Sequence, residues 1–150
     1  MATITAALSV NSDITEYGLG ISKSMTMNKA GSTKGMELTT GLAKRTFVNN
    51  NQVDLLTAGS GVAVDVTASR AAKVYIKNVS TSSTDYFTMG FGNASTNTTA
   101  TPTNGDATAF ELGRLYGGDW MLIPYLADVN ITVAPSTAET MTLEYMVFVE

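Results

Sequence analysis

Apolar and polar residues alternate with a period of two along most of the chain, and a helical period is nearly absent. The longest alternating run covers residues 141–149. Met141, Leu143, Tyr145, Val147 and Val149 point one way, and Thr142, Glu144, Met146 and Phe148 point the other. The second set turns apolar toward its end. That predicts a central strand, buried on both sides over its C-terminal half. Residues 73–79 place Val74 and Ile76 opposite Tyr75 and Lys77, and residues 86–91 place Phe87, Met89 and Phe91 on one face. Residues 62–66 set Val62, Val64 and Val66 against Ala63 and Asp65. Residues 110–115 set Phe110, Leu112 and Arg114 against Glu111, Gly113 and Leu115. Two short apolar runs, 120–125 and 129–133, are bounded by turn residues.

The breaks between these runs have their own chemistry. Gly59-Ser-Gly61, Asn104-Gly-Asp106 and Gly117-Gly-Asp119 supply residues that tolerate positive φ. Pro124 cannot donate to a ladder, so it marks an edge, a bulge or a strand end. Residues 93–109 are polar without periodicity and predict a long surface loop. About seven short strands between residues 61 and 150, spaced by turns, predict an all-β antiparallel sandwich, jelly-roll-like in arrangement.

The first sixty residues read differently. Residues 3–10 and 17–27 are extended in character, residues 28–40 are rich in Gly, Ser, Thr and Lys, and residues 44–48 and 53–56 are short strand candidates around Asn49-Asn50-Asn51. Large apolar residues are too few here for a separate core. The predicted organisation is an extended N-terminal segment or arm, residues 1–60, that packs on the sandwich of residues 61–150 or on a neighbouring subunit. An unpaired strand edge is a template for such exchange.

Composition narrows the function. The chain of 150 residues has no histidine and no cysteine, while it has 23 Thr and 12 Ser. Thiolate, zinc-finger and Ser-His-Asp chemistry are excluded by the missing side chains. Charged residues are 15% of the chain and the net charge is −4. The basic residues are scattered, with Lys44-Arg45 the only adjacent pair, which reads as a solvated surface spot. Nucleic acid is therefore not an expected partner. Residues 1–5 lack a basic stretch followed by an apolar one, and no window approaches a membrane span, so neither a secretion leader nor a membrane partner is expected.

The candidate chemistry is thin. Asp106, Glu111, Asp119, Asp128, Glu139 and Glu144 supply carboxylates, and Tyr116, Trp120 and Tyr125 supply sugar-stacking rings. Asp106, Asp119 and Asp128 sit in predicted turns, where Asp bonds backbone. Neither Asn104-Gly-Asp106 nor Gly118-Asp119 has the spaced acidic pattern of a calcium loop. Gly18-Leu-Gly20 and Gly59-Ser-Gly61 lack the Lys-Ser/Thr of a phosphate loop and read as turn glycines. Asn78, Asn93, Asn97 and Asn130 open Asn-X-Ser/Thr triplets, which chance supplies in so Thr-rich a chain. Trp120 reads either as a core anchor at one end of the sandwich or as an interface anchor. The eight Met read as adaptable core filler. No enzyme activity, cofactor, metal or small-molecule substrate is expected.

Three segments carry a resemblance. Residues 73–85 (Lys-Val-Tyr-Ile-Lys-Asn-Val-Ser-Thr-Ser-Ser-Thr-Asp), residues 113–124 (Gly-Arg-Leu-Tyr-Gly-Gly-Asp-Trp-Met-Leu-Ile-Pro) and residues 141–148 (Met-Thr-Leu-Glu-Tyr-Met-Val-Phe) resemble small structural proteins of tailed bacteriophages. The resemblance covers the last eighty residues or so and lies in texture and motif order. It implies a β-sandwich or jelly-roll module on the virion, either a capsid cement (decoration) protein or a tail or fibre component that binds a receptor or glycan. For a cement protein the expected partners are the major capsid protein and further copies of the chain, as a trimer. The expected location is the capsid surface, after synthesis in the bacterial host cytoplasm. Ile4, Leu8, Tyr17, Leu19 and Ile21 in the N-terminal segment, with Tyr116, Trp120 and Tyr125, are the candidate interface residues.

Overall fold

The computed structural model describes residues 4–12, 19–27, 38–57, 71–92, 109–126 and 129–149. These residues form strands and connections without a helix. Two compact units divide the chain, Met1–Leu38 and Thr39–Val149.

In the N-terminal unit, β1 (Thr5–Ser12) and β2 (Leu19–Thr26) pair antiparallel in an unbroken register from Thr5 opposite Thr26 to Ser12 opposite Leu19. The backbone N–H of Met27 donates to the carbonyl of Ile4 at 2.9 Å and extends the ribbon by one rung. Within the described residues, the extended character read for residues 3–10 and 17–27 is realised by each strand pairing with the other. Gly20, expected in a turn, lies inside β2 opposite Asn11.

The second unit is a β-sandwich of two antiparallel sheets. The strands that build it are β4 (Ala43–Phe47), β5 (Val53–Leu56), β6 (Ala71–Asn78), β7 (Tyr86–Gly92), β8 (Ala109–Tyr116), β9 (Trp120–Leu126), β10 (Ile131–Pro135) and β11 (Met141–Val149). The first sheet runs β4-β11-β6-β9 and the second β5-β10-β7-β8. The short β3 (Leu38–Thr39) adjoins β11 beyond β4. There the N–H of Thr40 donates to the carbonyl of Val147, and the N–H of Val147 donates to Thr40 Oγ1, both at 3.0 Å.

This order is that of one long antiparallel hairpin rolled up. The innermost pair is β7 with β8, the next is β6 with β9, then β5 with β10, and the outermost is β4 with β11. Alternate pairs then join side by side, β6/β9 with β4/β11 and β7/β8 with β5/β10, through the β11–β6 and β10–β7 ladders.

Alternation explains the core. Val74 and Ile76, Phe87 and Met89, Ile131 and Val133, and Leu143, Val147 and Val149 point between the sheets and are buried. Phe47 of the first sheet meets Phe87 of the second edge-on, with ring centroids 5.3 Å apart. β11 lies between β6 and the β3/β4 edge, as its two-sided pattern predicted; Met146 and Phe148 on its second face are half-buried. Phe87 is fully buried at the ring contact between the sheets, so Phe87→Ala is expected to cost about 4 kcal/mol. Urea unfolding of the full chain reads this directly, and a loss below about 1 kcal/mol would contradict the placement of Phe87.

Three expectations change. The boundary read at residue 60 moves to residues 38/39, because β4 and β5 supply a strand to each sheet. At Asn49-Asn50-Asn51, between these two strands, the chain crosses from one sheet to the other. Arg45 belongs to that crossing and not to a solvated spot: its Nη1 donates to the carbonyl of Asp54 at 2.6 Å and ties β4 to β5. Third, β8 does not alternate as read. Gly113 opposes Met89 and Glu111 opposes Gly90, so Leu112 is one residue too many and forms a β-bulge. The bulge flips the parity beyond it. Leu115 turns into the core, and Arg114 shares the outer side with Glu111. Pro124 sits in β9, an edge strand, where a missing N–H is tolerated. Residues 62–66 and the segment 93–108 lie outside the described residues.

Candidate interaction surfaces

The first surface is one face of the β1–β2 ribbon. The register puts Ala6, Leu8 and Val10 on the same side as Ile21, Lys23 and Met25. Thr5, Ala7, Ser9 and Asn11 share the other side with Gly20, Ser22, Ser24 and Thr26. The ribbon is therefore amphipathic. Its large apolar side chains remain open to solvent: Leu8 is 45% exposed, Val10 39%, Ile21 39% and Met25 46%. A two-stranded ribbon is marginal in water by itself, and a contiguous apolar stripe on one marks a contact surface. Of the residues proposed from sequence, Leu8 and Ile21 lie on this stripe. Ile4 is half-buried just before β1. Leu19 begins β2 opposite Ser12. Tyr17 lies outside the described residues.

The second surface is organised around the β8–β9 turn. Gly118 holds φ of 84°, where a side chain is strained, and a Cβ on Gly117 would collide with the carbonyl oxygen of Ser82. Asp119 closes the turn. Its Oδ2 accepts from the N–H of Tyr116 at 3.0 Å, and its own N–H donates to the Tyr116 carbonyl at 2.9 Å. This is the backbone-bonding role expected of Asp in a turn.

Asn78 pins the same end of the sandwich. It is fully buried at the end of β6. Its Nδ2 donates to the carbonyls of Leu115 at 3.1 Å and Asp85 at 3.3 Å, and its Oδ1 accepts from the N–H of Ser80 at 3.0 Å. Its backbone N–H and carbonyl bond Asp119 and Gly118. One side chain thus joins β6, the 79–85 connection and the end of β8. The Asn-X-Ser triplet hid this role. The only signal in the sequence was an Asn closing an apolar strand.

The aromatic residues do not form one patch. Tyr116 stands opposite Tyr86, so it lies on the outer side of the second sheet; the rings are 5.3 Å apart, and the Arg114 guanidinium sits 4.5 Å over Tyr86. Trp120 stands opposite Lys77, on the outer side of the first sheet, 6.4 Å from Tyr75. Trp120 is 51% exposed, which removes the core-anchor reading and leaves a surface anchor. Tyr125 corrects the candidate set. It opposes Ala72 on the inner side, is buried, and its hydroxyl donates to the Val129 carbonyl at 2.9 Å. Burial, and then the Glu144 carboxylate, hold the Tyr75 hydroxyl above its ordinary value of 10.0.

The bulge of β8 also opens a cavity of about 230 Å³ lined by Met89, Leu112, Gly113, Arg114, Leu115 and Met121. Its walls are apolar apart from one guanidinium. They suit an apolar side chain and bring no acid–base pair together. No protein-family profile, curated protein or solved structure matches the chain.

Proposed function

We propose that the chain is a structural virion protein, a capsid cement (decoration) protein that binds the assembled phage head and stabilises it. The observation that carries this reading is the amphipathic β1–β2 ribbon, a separate unit whose apolar stripe is exposed to solvent. Such a stripe has little value to a free monomer and much to a protein that works by contact. The strand order supports a jelly-roll reading of the sandwich, since a rolled hairpin of eight strands in two sheets is that arrangement.

The mechanism is thermodynamic. A protein that binds the closed shell and not its dissociated subunits stabilises the shell by mass action. A specific contact covers about 800 Å² per partner, and repetition over a lattice lets each contact be weak. A trimer would place three ribbons around one axis and bind neighbouring capsid subunits together.

The test is co-sedimentation with assembled shells. The full chain is expected to pellet with expanded shells and to raise the temperature at which they break. A chain that stays in the supernatant at every concentration defeats the proposal. The alternative, a glycan- or receptor-binding tail component, needs its rings on one surface, whereas Tyr116 and Trp120 lie on different sheets and Tyr125 is buried.

A further inference from the structure

The outer side of the first sheet carries a composition unlike the rest of the chain. Register places Lys44, Glu144, Lys77 and Trp120 in one row across β4, β11, β6 and β9. The next row is Met146, Tyr75 and Leu122, and the next is Phe148, Lys73 and Pro124. This side therefore holds apolar and aromatic groups in its middle and three lysines against one glutamate, in a chain whose net charge is −4.

The single carboxylate is engaged, with Lys44 Nζ 3.6 Å from Glu144 Oε2. Lys73 and Lys77 are half-buried, flank Tyr75 on the same strand, and enter no ion pair among the described residues. By strand rise they stand about 13 Å apart. Two ammonium groups on a strand beside rings, with no acid paired to them among the described residues, are complementary to a surface that brings carboxylates. A second copy meeting this side face to face would set lysine against lysine, so self-association is disfavoured. Nucleic acid is disfavoured too, since two such cations are far fewer than the 6–10 phosphate contacts of a typical binder. An exposed Trp, with half-buried Tyr75 and Met146 on the same side of the sheet, is the composition of a protein contact.

We propose that this side of the first sheet is a second docking surface, and that its partner is a carboxylate-bearing protein surface of the shell. The assignment rests on the shell-binding reading above. The apolar ribbon and the lysine–aromatic surface then act as two attachments of different character, one insensitive to salt and one weakened by it.

The experiment uses the full chain and shells purified from particles grown without it. Lys73→Glu with Lys77→Glu is expected to weaken shell binding by at least about tenfold and to flatten its salt dependence, while Lys73→Arg with Lys77→Arg keeps both near the parent. Circular dichroism and thermal unfolding check each variant. Lysine acetylation of the parent chain gives a reading without substitution: Lys73 and Lys77 are expected to be protected on shells and modified in free solution. Unchanged binding of the Glu variant and unprotected lysines would overturn the docking surface and leave the shell reading standing. A parent chain that never binds shells sinks both. Binding to an acidic polysaccharide such as polygalacturonate, lost in the Glu variant, would assign the surface to a glycan and overturn the protein partner.

Discussion

Asn78→Ala is expected to lower the stability of the sandwich by about 3 kcal/mol, a large share of the 5–15 kcal/mol typical of a domain. The argument is one of accounting for buried groups. The substitution deletes three side-chain hydrogen bonds, to Leu115, Asp85 and Ser80. It also strands a carbonyl beside a side chain that is 0% exposed. Each lost bond is worth about 1 kcal/mol net, and a buried group left without a partner costs about 1–3 kcal/mol. The ladder bonds of β6 survive, so the fold persists and unfolds at a lower temperature. Urea and thermal denaturation of the full chain measure the effect. Asn78→Asp separates shape from bonding: it keeps the acceptor for Ser80 and loses the donor to Leu115, so it is expected to destabilise as well. A loss under about 0.5 kcal/mol for both variants would show that the 79–85 connection and the β8 end hold without this side chain.

The second large effect falls on binding. Leu8→Asp with Ile21→Asp places two carboxylates on the apolar stripe of the ribbon, at side chains 45% and 39% exposed in the free chain. These side chains lie half in water already, so the sandwich is expected to keep its unfolding temperature. Full burial of a Leu or Ile contributes about 1.5–3 kcal/mol. Less than half of each side chain remains to be covered by a partner, about 0.6–1.3 kcal/mol apiece, so losing two costs roughly tenfold to a hundredfold in affinity for shells. Sedimentation with shells reads the loss. Thr5→Asp with Ser9→Asp, on the polar side of the same ribbon, is the control and is expected to bind as the parent does. Equal loss in both variants would mean that the ribbon acts through charge or through its own stability, and not through its stripe.

The sequence made some of this plain and hid the rest for definite reasons. Strands β6, β7 and β11 were legible because one side of each is consistently apolar: Val74 and Ile76, Phe87 and Met89, Leu143 and Val147. In β9 both sides are apolar, Trp120-Leu122-Pro124 and Met121-Ile123-Tyr125, so a period of two could not say which faced the core. The large Trp, the natural choice for burial, lies outside, and Tyr125 lies inside. In β8 one extra residue at the bulge reversed the assignment of Leu115 and Arg114. The ribbon was read as extended, but not as a pair, because a register of eight rungs is a long-range fact that local alternation does not encode. β4 and β5 were legible as strands but not as members of opposite sheets, because five residues span a crossover as readily as a turn within one sheet. Of the surface candidates, Leu8, Ile21, Tyr116 and Trp120 are exposed, and Asn78, the residue that shapes the β8–β9 end, carried no chemical signal.

The central claim is that this chain works by contact with an assembled shell. Quantitative mass spectrometry of purified particles tests it most directly, by the molar ratio of this chain to the major shell protein. The account predicts a fixed ratio set by the lattice, with the chain present wherever shell subunits meet. A trace amount confined to tail fractions, or none at all, would contradict it.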